Sequence, residues 1–270
     1  MSRLSSVRLP AVAGTFYPKK RAKLRRLVLR QLAAAVNDSY GTEDPPPPKA
    51  LVVPHAGYVY SGLIAASAYR LLTALRSRIS RVVLLGPAHF HPLAGIAVHT
   101  ADAFRTPLGD VLLDDELRQM ALGLVQVLAL DSPHEGEHSL EVQLPFLQQV
   151  LDRFTLLPLV VGRASPDEVA EVLEAVWGGD ETLILISTDL SHYHDYDTAC
   201  ELDAATCAAV ESCDHESIAD DHACGARALR GMLEVARRRK LTVTTLELRN
   251  SGDTAGDRAS VVGYGAWHIG

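Results

Sequence analysis

The chain has 270 residues, of which 47% are hydrophobic and 22% charged, and its 26 basic and 33 acidic side chains give a formal net charge of −7. So much apolar side chain argues against a disordered or fibrous protein, and the acidic balance argues against nucleic-acid binding. No apolar run approaches the ~20 residues of a membrane helix, and the first residues lack the apolar part of a secretory signal, so we expect a cytoplasmic protein.

The first 48 residues predict a basic amphipathic helix followed by a stiff connection. Basic residues between Lys19 and Arg30 fall on one helical face, and apolar residues between Leu24 and Ala35 fall on another. The run Pro45–Pro48 fits neither a helix interior nor a central strand, so it predicts an extended connection. We interpret residues 1–48 as packed on the core of one domain that spans residues 1–270.

After residue 49, apolar strands alternate with amphipathic helices. Wholly apolar strands between such helices indicate a sheet covered on both faces. The pattern therefore predicts a single α/β domain with a mainly parallel or mixed central sheet and helices on both faces. Strands are predicted at 50–53, 81–85, 94–98, 154–161, 182–186, 241–248 and 260–267, and helices at 61–76, 114–125, 139–151, from 165 onward, 197–213 and 224–238.

Three of these strands run directly into turns that contain a histidine. The turns carry His55, His89 and His192. Ligands of open α/β sheets bind beyond the carboxyl ends of the strands, so these three side chains are expected on one side of the sheet. Neutral imidazole binds iron, zinc, copper and nickel, and a histidine held off the metal can act as a general acid or base.

Residues 134–138 have the H-E-x-x-H spacing of zinc proteases, which works when both histidines share one face of a continuous helix. Here Pro133 precedes the match, Gly136 interrupts it, and the periodic helix begins only near Ser139. We therefore interpret the match as accidental, and we keep His138, beside the helix start, as a pocket residue.

Cys224 differs from the other three cysteines because it lies where a helix is predicted to begin. A helix N-terminus lowers the pKa of a thiol and makes a thiolate available as a metal ligand or nucleophile. No pair of cysteines has C-x-x-C spacing, which excludes a zinc ribbon or a thioredoxin-like motif. A Cys–His hydrolase is one interpretation, and a thiolate beside two histidines around a metal with open positions is the other.

Six short segments, in a specific order over nearly the whole chain, carry a family resemblance. They are VAGTFYP at 12–18, PHAGYVYSG at 54–62, GPAH at 86–89, EHSLE at 137–141, STDLSH at 187–192 and ACG at 223–225. Together they resemble the Memo family, of the AmmeMemoRadiSam type, which has animal, bacterial and archaeal members.

The Memo fold is similar to that of class III extradiol dioxygenases, which hold non-haem iron with two histidines and one carboxylate. The resemblance implies that His55 and His89 are metal ligands, that Cys224 replaces the carboxylate, and that His192 corresponds to the acid/base histidine of those enzymes. The implied cofactor is Fe²⁺, with copper or zinc as alternatives.

We further expect Asp189 to orient His192 or a neighbouring loop, and Tyr58, Tyr60 and His138 to line the pocket. A thiolate donates more charge to a metal than a carboxylate and can itself be oxidised, so dioxygenase activity does not follow from the fold alone.

Three functions are therefore weighed for this site. The first is redox or dioxygenase-like chemistry on an unknown small molecule or peptide. The second is a zinc- or thiol-dependent hydrolase, and the third is a non-catalytic peptide- or protein-binding module with a vestigial pocket. The resemblance also implies a pathway association with radical-SAM and AMMECR-type proteins.

Overall fold

A computed structural model describes residues 6–35 and 47–270, and none of the helices in these ranges is long and apolar enough to cross a membrane. Residues 36–46, including the first half of the proline run, lie outside the described residues. The strands are β1 (Val7–Arg8), β2 (Ala50–Val53), β3 (Arg81–Pro87), β4 (Ile96–Val98), β5 (Ala103–Thr106), β6 (Gly109–Leu112), β7 (Val127–Ala129), β8 (Thr155–Val161), β9 (Thr182–Ser187), β10 (His192–His194), β11 (Val243–Asn250) and β12 (Val261–Ile269). The helices are α1 (Arg21–Ala34), α2 (Gly62–Arg70), α3 (Asp115–Leu122), α4 (Leu144–Val150), α5 (Pro166–Ala175), α6 (Tyr196–Glu211) and α7 (Ala226–Arg239).

Nine strands of the described ranges form one mixed sheet. Their order is β10-β12-β2-β9-β3-β8-β4-β7, with β11 paired to β12. The central strands β2, β9, β3 and β8 are parallel, whereas β12 and β4 run antiparallel to this centre on either side. The carboxyl ends of the four parallel strands therefore meet at one edge of the sheet.

Helices cover both faces of this sheet, which explains why its central strands are wholly apolar. Successive strand residues point to opposite faces. Leu51 and Val53 of β2 pack in the same core cluster as residues of α1, α2 and α4. Ala50 and Val52 belong to a second cluster, with residues of α3, α5, α6 and α7. The predicted single α/β domain with a mixed sheet and helices on both faces is confirmed.

The N-terminal helix packs on the first of these clusters. Leu24 and Val28 are fully buried, while the basic residues of α1 are exposed, as the amphipathic pattern predicts. The Gln31 side chain donates a hydrogen bond of 2.7 Å to the carbonyl oxygen of Tyr58, in the turn after β2. This contact ties α1 to the edge of the sheet where the central strands end.

Two predicted helices are shorter than expected, and several strands were not predicted. α2 ends at Arg70 and continues as a 3₁₀ helix over Leu71–Leu75, and the helix predicted at 139–151 begins as a 3₁₀ turn over Glu141–Gln143. β1, β5 and β6 form a separate three-stranded sheet. Strands of two to four residues are too short to produce a recognisable alternation, so the sequence pattern could not indicate them.

Candidate metal centre

Three histidines from separate turns converge beyond the carboxyl ends of the central strands. His55, His89 and His138 each offer a ring nitrogen that lies within 4.8 Å of those of the other two. The rings of His89 and His138 stack with centroids 4.8 Å apart, and the His55 ring lies 5.2 Å from the first and 5.5 Å from the second. Three imidazoles at this spacing can hold one metal ion.

The end of β9 holds the His55 ring in place. The backbone N–H of His55 donates to Asp189 Oδ1 at 2.7 Å, and its Nδ1 lies 3.0 Å from the hydroxyl of Ser187. Burial lowers the pKa of His55 to about 3 and that of His138 to about 4. Both rings are therefore neutral at pH 7, the form that binds metals.

A buried carboxylate organises the other two histidines. Glu137 is 1% exposed, and its two oxygens accept the backbone N–H groups of His89, His138 and Ser139, each at 2.8 Å. Its Oε1 also lies 3.0 Å from His89 Nδ1. Burial raises the pKa of Glu137, but the hydrogen bond with His89 and the backbone N–H groups outweigh burial and hold the pKa well below its usual range. Such a carboxylate–histidine pair fixes ring orientation at metal sites.

Cys224 lies directly against the first histidine. Its Sγ is 3.2 Å from His55 Nε2 and 3.3 Å from the backbone N of Asp189, which donates to it. The following residue is Gly225, where an added Cβ would lie 2.7 Å from the carbonyl oxygen of Ser187. Only glycine lets the chain approach the end of β9 this closely, and that approach brings the sulfur to the histidines.

The expected lowering of the thiol pKa by a helix start is not found. α7 begins at Ala226, two residues after Cys224. Burial, followed by the nearby carboxylate of Asp189, raises the pKa of Cys224 above its usual range. In the absence of a cation, this thiol is therefore protonated at neutral pH.

Asp189 and His192 occupy different positions around the centre. Asp189 is 4% exposed, burial raises its pKa, and its Oδ2 lies 3.9 Å from His55 Nε2. Its hydrogen bond with the backbone N–H of His55 holds the turn that follows β2. His192 begins β10, faces the cavity, and its side chain forms no hydrogen bond with a described residue.

A cavity of about 850 Å³ opens beside these side chains. Tyr60 lines it, as expected, but the expectation for Tyr58 is wrong. The Tyr58 hydroxyl donates to the carbonyl oxygen of Val142 at 2.5 Å, and its ring packs on Phe146 in the core. The turn after β2 points the first tyrosine inward and the second outward. Besides Tyr60, the wall includes His55, His89, His138, Asp189, His192, Cys224, Phe16 and Tyr264.

The residues before α1 also hold the site, a role that sequence reasoning missed. Arg8 forms a buried ion pair of 2.8 Å with Glu141, and it donates at 2.5 Å to the carbonyl oxygen of Glu137. Tyr17 donates to Glu141 Oε1 at 2.5 Å, and the ring of Phe16 lies 4.7 Å from that of His138. The segment around VAGTFYP therefore packs against the loop that carries Glu137 and His138 and holds it in place.

His134 belongs to a different environment from His138. Its Nε2 lies 3.2 Å from the carbonyl oxygen of Ala97, and the centroid of its ring lies 5.1 Å from that of the His99 ring. The 3₁₀ helix containing His134 ends there, and Gly136 adopts a left-handed φ of +71°. The two histidines thus share no helix face, in agreement with the interpretation of the H-E-x-x-H match as accidental.

Comparisons with known proteins give one consistent result. A family model described as Memo-like protein matches residues 8–268. Similar relatives, each described as a MEMO1 family protein, include those of Aquifex aeolicus at 35% identity and Sulfolobus acidocaldarius at 33%, both covering 96% of this chain and 97% of the relative. The relative from Metallosphaera sedula is 31% identical and covers 95% of this chain and 97% of its own length.

A solved structure has a similar fold. The uncharacterized protein JW3007 from Escherichia coli K12 superposes with a TM-score of 0.54 and 13% identity, covering 82% of this chain and 99% of that one. At this identity, the likeness concerns the fold alone.

We expect Glu137→Gln to weaken metal binding about 10- to 100-fold. The neutral amide replaces the charged carboxylate that accepts from His89 and orients its ring. A competition titration with a coloured chelator measures the affinity. Glu135→Gln, an exposed position two residues earlier in the same loop, is the matched control. Equal affinities for the two variants would contradict this role of Glu137.

The burial of His134 predicts that the free energy of unfolding depends on pH in the acid range. Burial lowers its pKa in the folded protein to about 3, whereas an unfolded histidine titrates near ~6.5. Between these values the unfolded state binds more protons, so the free energy of unfolding falls as the pH falls, by at most about 1.4 kcal/mol per pH unit for this side chain.

We therefore expect His134→Gln to make the free energy of unfolding depend less steeply on pH between pH 6.5 and pH 4. Urea unfolding of the metal-free protein at several pH values measures the slope, with the exposed His194→Gln as the control. A slope for His134→Gln as steep as that of the control would show that burial does not depress this pKa.

Proposed function

This chain belongs to the Memo family, and on that premise we propose that it is a metal-binding protein in which His55, His89 and Cys224 hold one non-haem Fe²⁺ ion. The observation that carries the proposal is the contact of 3.2 Å between Cys224 Sγ and His55 Nε2, within a group of three converging imidazoles. The proposal extends to a fold like that of class III extradiol dioxygenases and to redox chemistry on an organic substrate.

The chemistry of the donor set fits such an ion. Imidazole and thiolate ligands suit iron, copper and zinc better than magnesium or calcium. Ser187 and Glu137 engage the Nδ1 atoms of His55 and His89, so Nε2 is the ligand atom that each ring would offer. The Nε2 atom of His55 already lies beside Cys224 Sγ. A nearby cation favours the thiolate form of Cys224 and so opposes the effect of burial on its pKa. His138 stays beside the ion as a pocket residue.

When bound, such an ion would supply redox activity. His192 faces the cavity with no hydrogen bond from a described side chain, so its ring nitrogens remain available to accept or donate a proton. Asp189 holds the His55 turn. The rings of Phe16 and Tyr60 in the cavity wall favour a substrate with apolar or aromatic surface.

One observation favours the binding module as a second candidate. Val59 and Tyr193 are 66% and 78% exposed beside the cavity, and Tyr193 adopts a left-handed φ of +63°. An exposed apolar rim around a pocket is typical of a surface that captures a peptide or partner protein.

Metal binding is tested by comparing Cys224→Ala with His138→Ala after anaerobic loading with Fe²⁺ or Co²⁺. We expect one ion per chain in the wild type. Cys224→Ala loses thiolate-to-cobalt charge-transfer absorption and at least tenfold in affinity, because the sulfur ligand is gone. His138→Ala keeps that absorption.

Cys207→Ala, at a buried cysteine of α6, is the control for general loss of a thiol. A wild-type chain without stoichiometric metal, or a cobalt spectrum unchanged by Cys224→Ala, would overturn the proposed ligand set.

Proton transfer by His192 is tested by oxygen uptake of the iron-loaded protein, with catechol as the probe. We expect His192→Ala to lower the rate about 10²- to 10⁴-fold, as loss of a general acid or base does, while the iron content is unchanged. His194→Ala, two residues away and exposed, serves as the control. Absence of uptake in the wild type, with peptide binding that survives removal of iron, favours the binding module.

A further inference from the structure

The carboxyl end of the fourth central strand opens onto a second cavity. β8 ends at Val161, and Gly162 and Arg163 follow it. A cavity of about 590 Å³ lies between this turn, residues 87–93 after β3, and the start of α7. The turns after β2, β9 and β3 supply His55, Asp189 and His89, so all four parallel strand ends border one region.

The second cavity and the first share two lining residues, His89 and Cys224. These two residues therefore lie between the two cavities, and a group bound in either cavity lies next to both of them. The candidate metal centre is thus bordered by both cavities.

The second cavity has an excess of positive charge. Arg163 is exposed and has no ion-pair partner among the described residues. Arg227 pairs with Asp220, but that carboxylate also contacts Arg230 and is therefore shared between two guanidinium groups. In a chain of net charge −7, an unneutralised guanidinium beside a cavity favours an anionic ligand.

The two cavities also differ in their apolar surface. The first presents the aromatic rings of Phe16, Tyr60 and Tyr264, whereas Phe90 is the one phenylalanine, tyrosine or tryptophan among the residues that line the second. An organic ring suits the first cavity, and an oxyanion suits the second. Guanidinium groups bind carboxylate and phosphate oxygens with two parallel hydrogen bonds.

We propose that the second cavity binds the oxyanion group, a carboxylate or a phosphate, of a small organic ligand through Arg163. The position of this anion site beside a metal ion rests on the function proposed above. The binding of the oxyanion by Arg163 is independent of that function. The first residues of α7 line the same cavity, and the positive end of the helix dipole also favours an anion there.

Calorimetry on the metal-free, full-length chain tests this site, with acetate and inorganic phosphate as the probes. We expect Arg163→Gln to weaken binding of the preferred anion at least tenfold. Arg153→Gln is the matched control, because Arg153 is also exposed and unpaired among the described residues but lines neither cavity. The anion that binds more tightly identifies the group. Equal affinities for the two variants, or no binding of either anion by the wild type, would overturn the proposal.

Cobalt-loaded protein separates this inference from the proposed function. We expect whichever of acetate or phosphate binds more tightly to shift the cobalt absorption of the wild type and of Arg153→Gln, but not that of Arg163→Gln. If the metal-free chain binds the anion through Arg163 and the cobalt spectrum stays unchanged, the anion site stands and its position beside the metal is wrong. If cobalt does not bind, the proposed function fails and calorimetry still decides the anion site.

Discussion

The parallel register of the central strands is the constraint on which the candidate site depends. Val53 of β2 pairs with Ser187 of β9, and His55 and Asp189 each follow two residues beyond that pair. Leu85 of β3 pairs with Ile186, which brings the turn with His89 to the same edge. A shift of register by one residue would turn every side chain of a strand to the other face and separate these groups.

Buried polar groups hold the remaining parts of the site on this edge. Glu137 and Glu141 are almost wholly buried. Glu137 accepts from backbone N–H groups and pairs with His89. Glu141 accepts from Arg8 and Tyr17. A buried carboxylate without such partners would be strongly destabilising. The same contacts that satisfy these charges therefore fix the loop between them, and with it His138, before any ligand arrives.

Local signals in the sequence were sufficient for the architecture and for part of the site. The apolar runs predicted the central strands to within two residues, and Ser165 and Glu168 form the capping box that begins α5. Turns that follow strands located His55 and His89 because a parallel sheet gathers such turns at one edge. The predicted helix start singled out Cys224, the family resemblance implied its role as a ligand, and its sulfur contacts His55.

By itself, then, the sequence determined the central strands, the approximate positions of the helices and which turns face the ligand side, because hydrophobic periodicity and turn chemistry act over a few residues. Only the tertiary structure decided that His138 joins the histidine group, that Tyr58 points into the core, and that burial raises the pKa of Cys224. It also decided that Arg8 reaches Glu141, 133 positions further along the chain. Contacts between distant segments, and the burial that follows from them, depend on how the layers pack, and no local pattern encodes that packing.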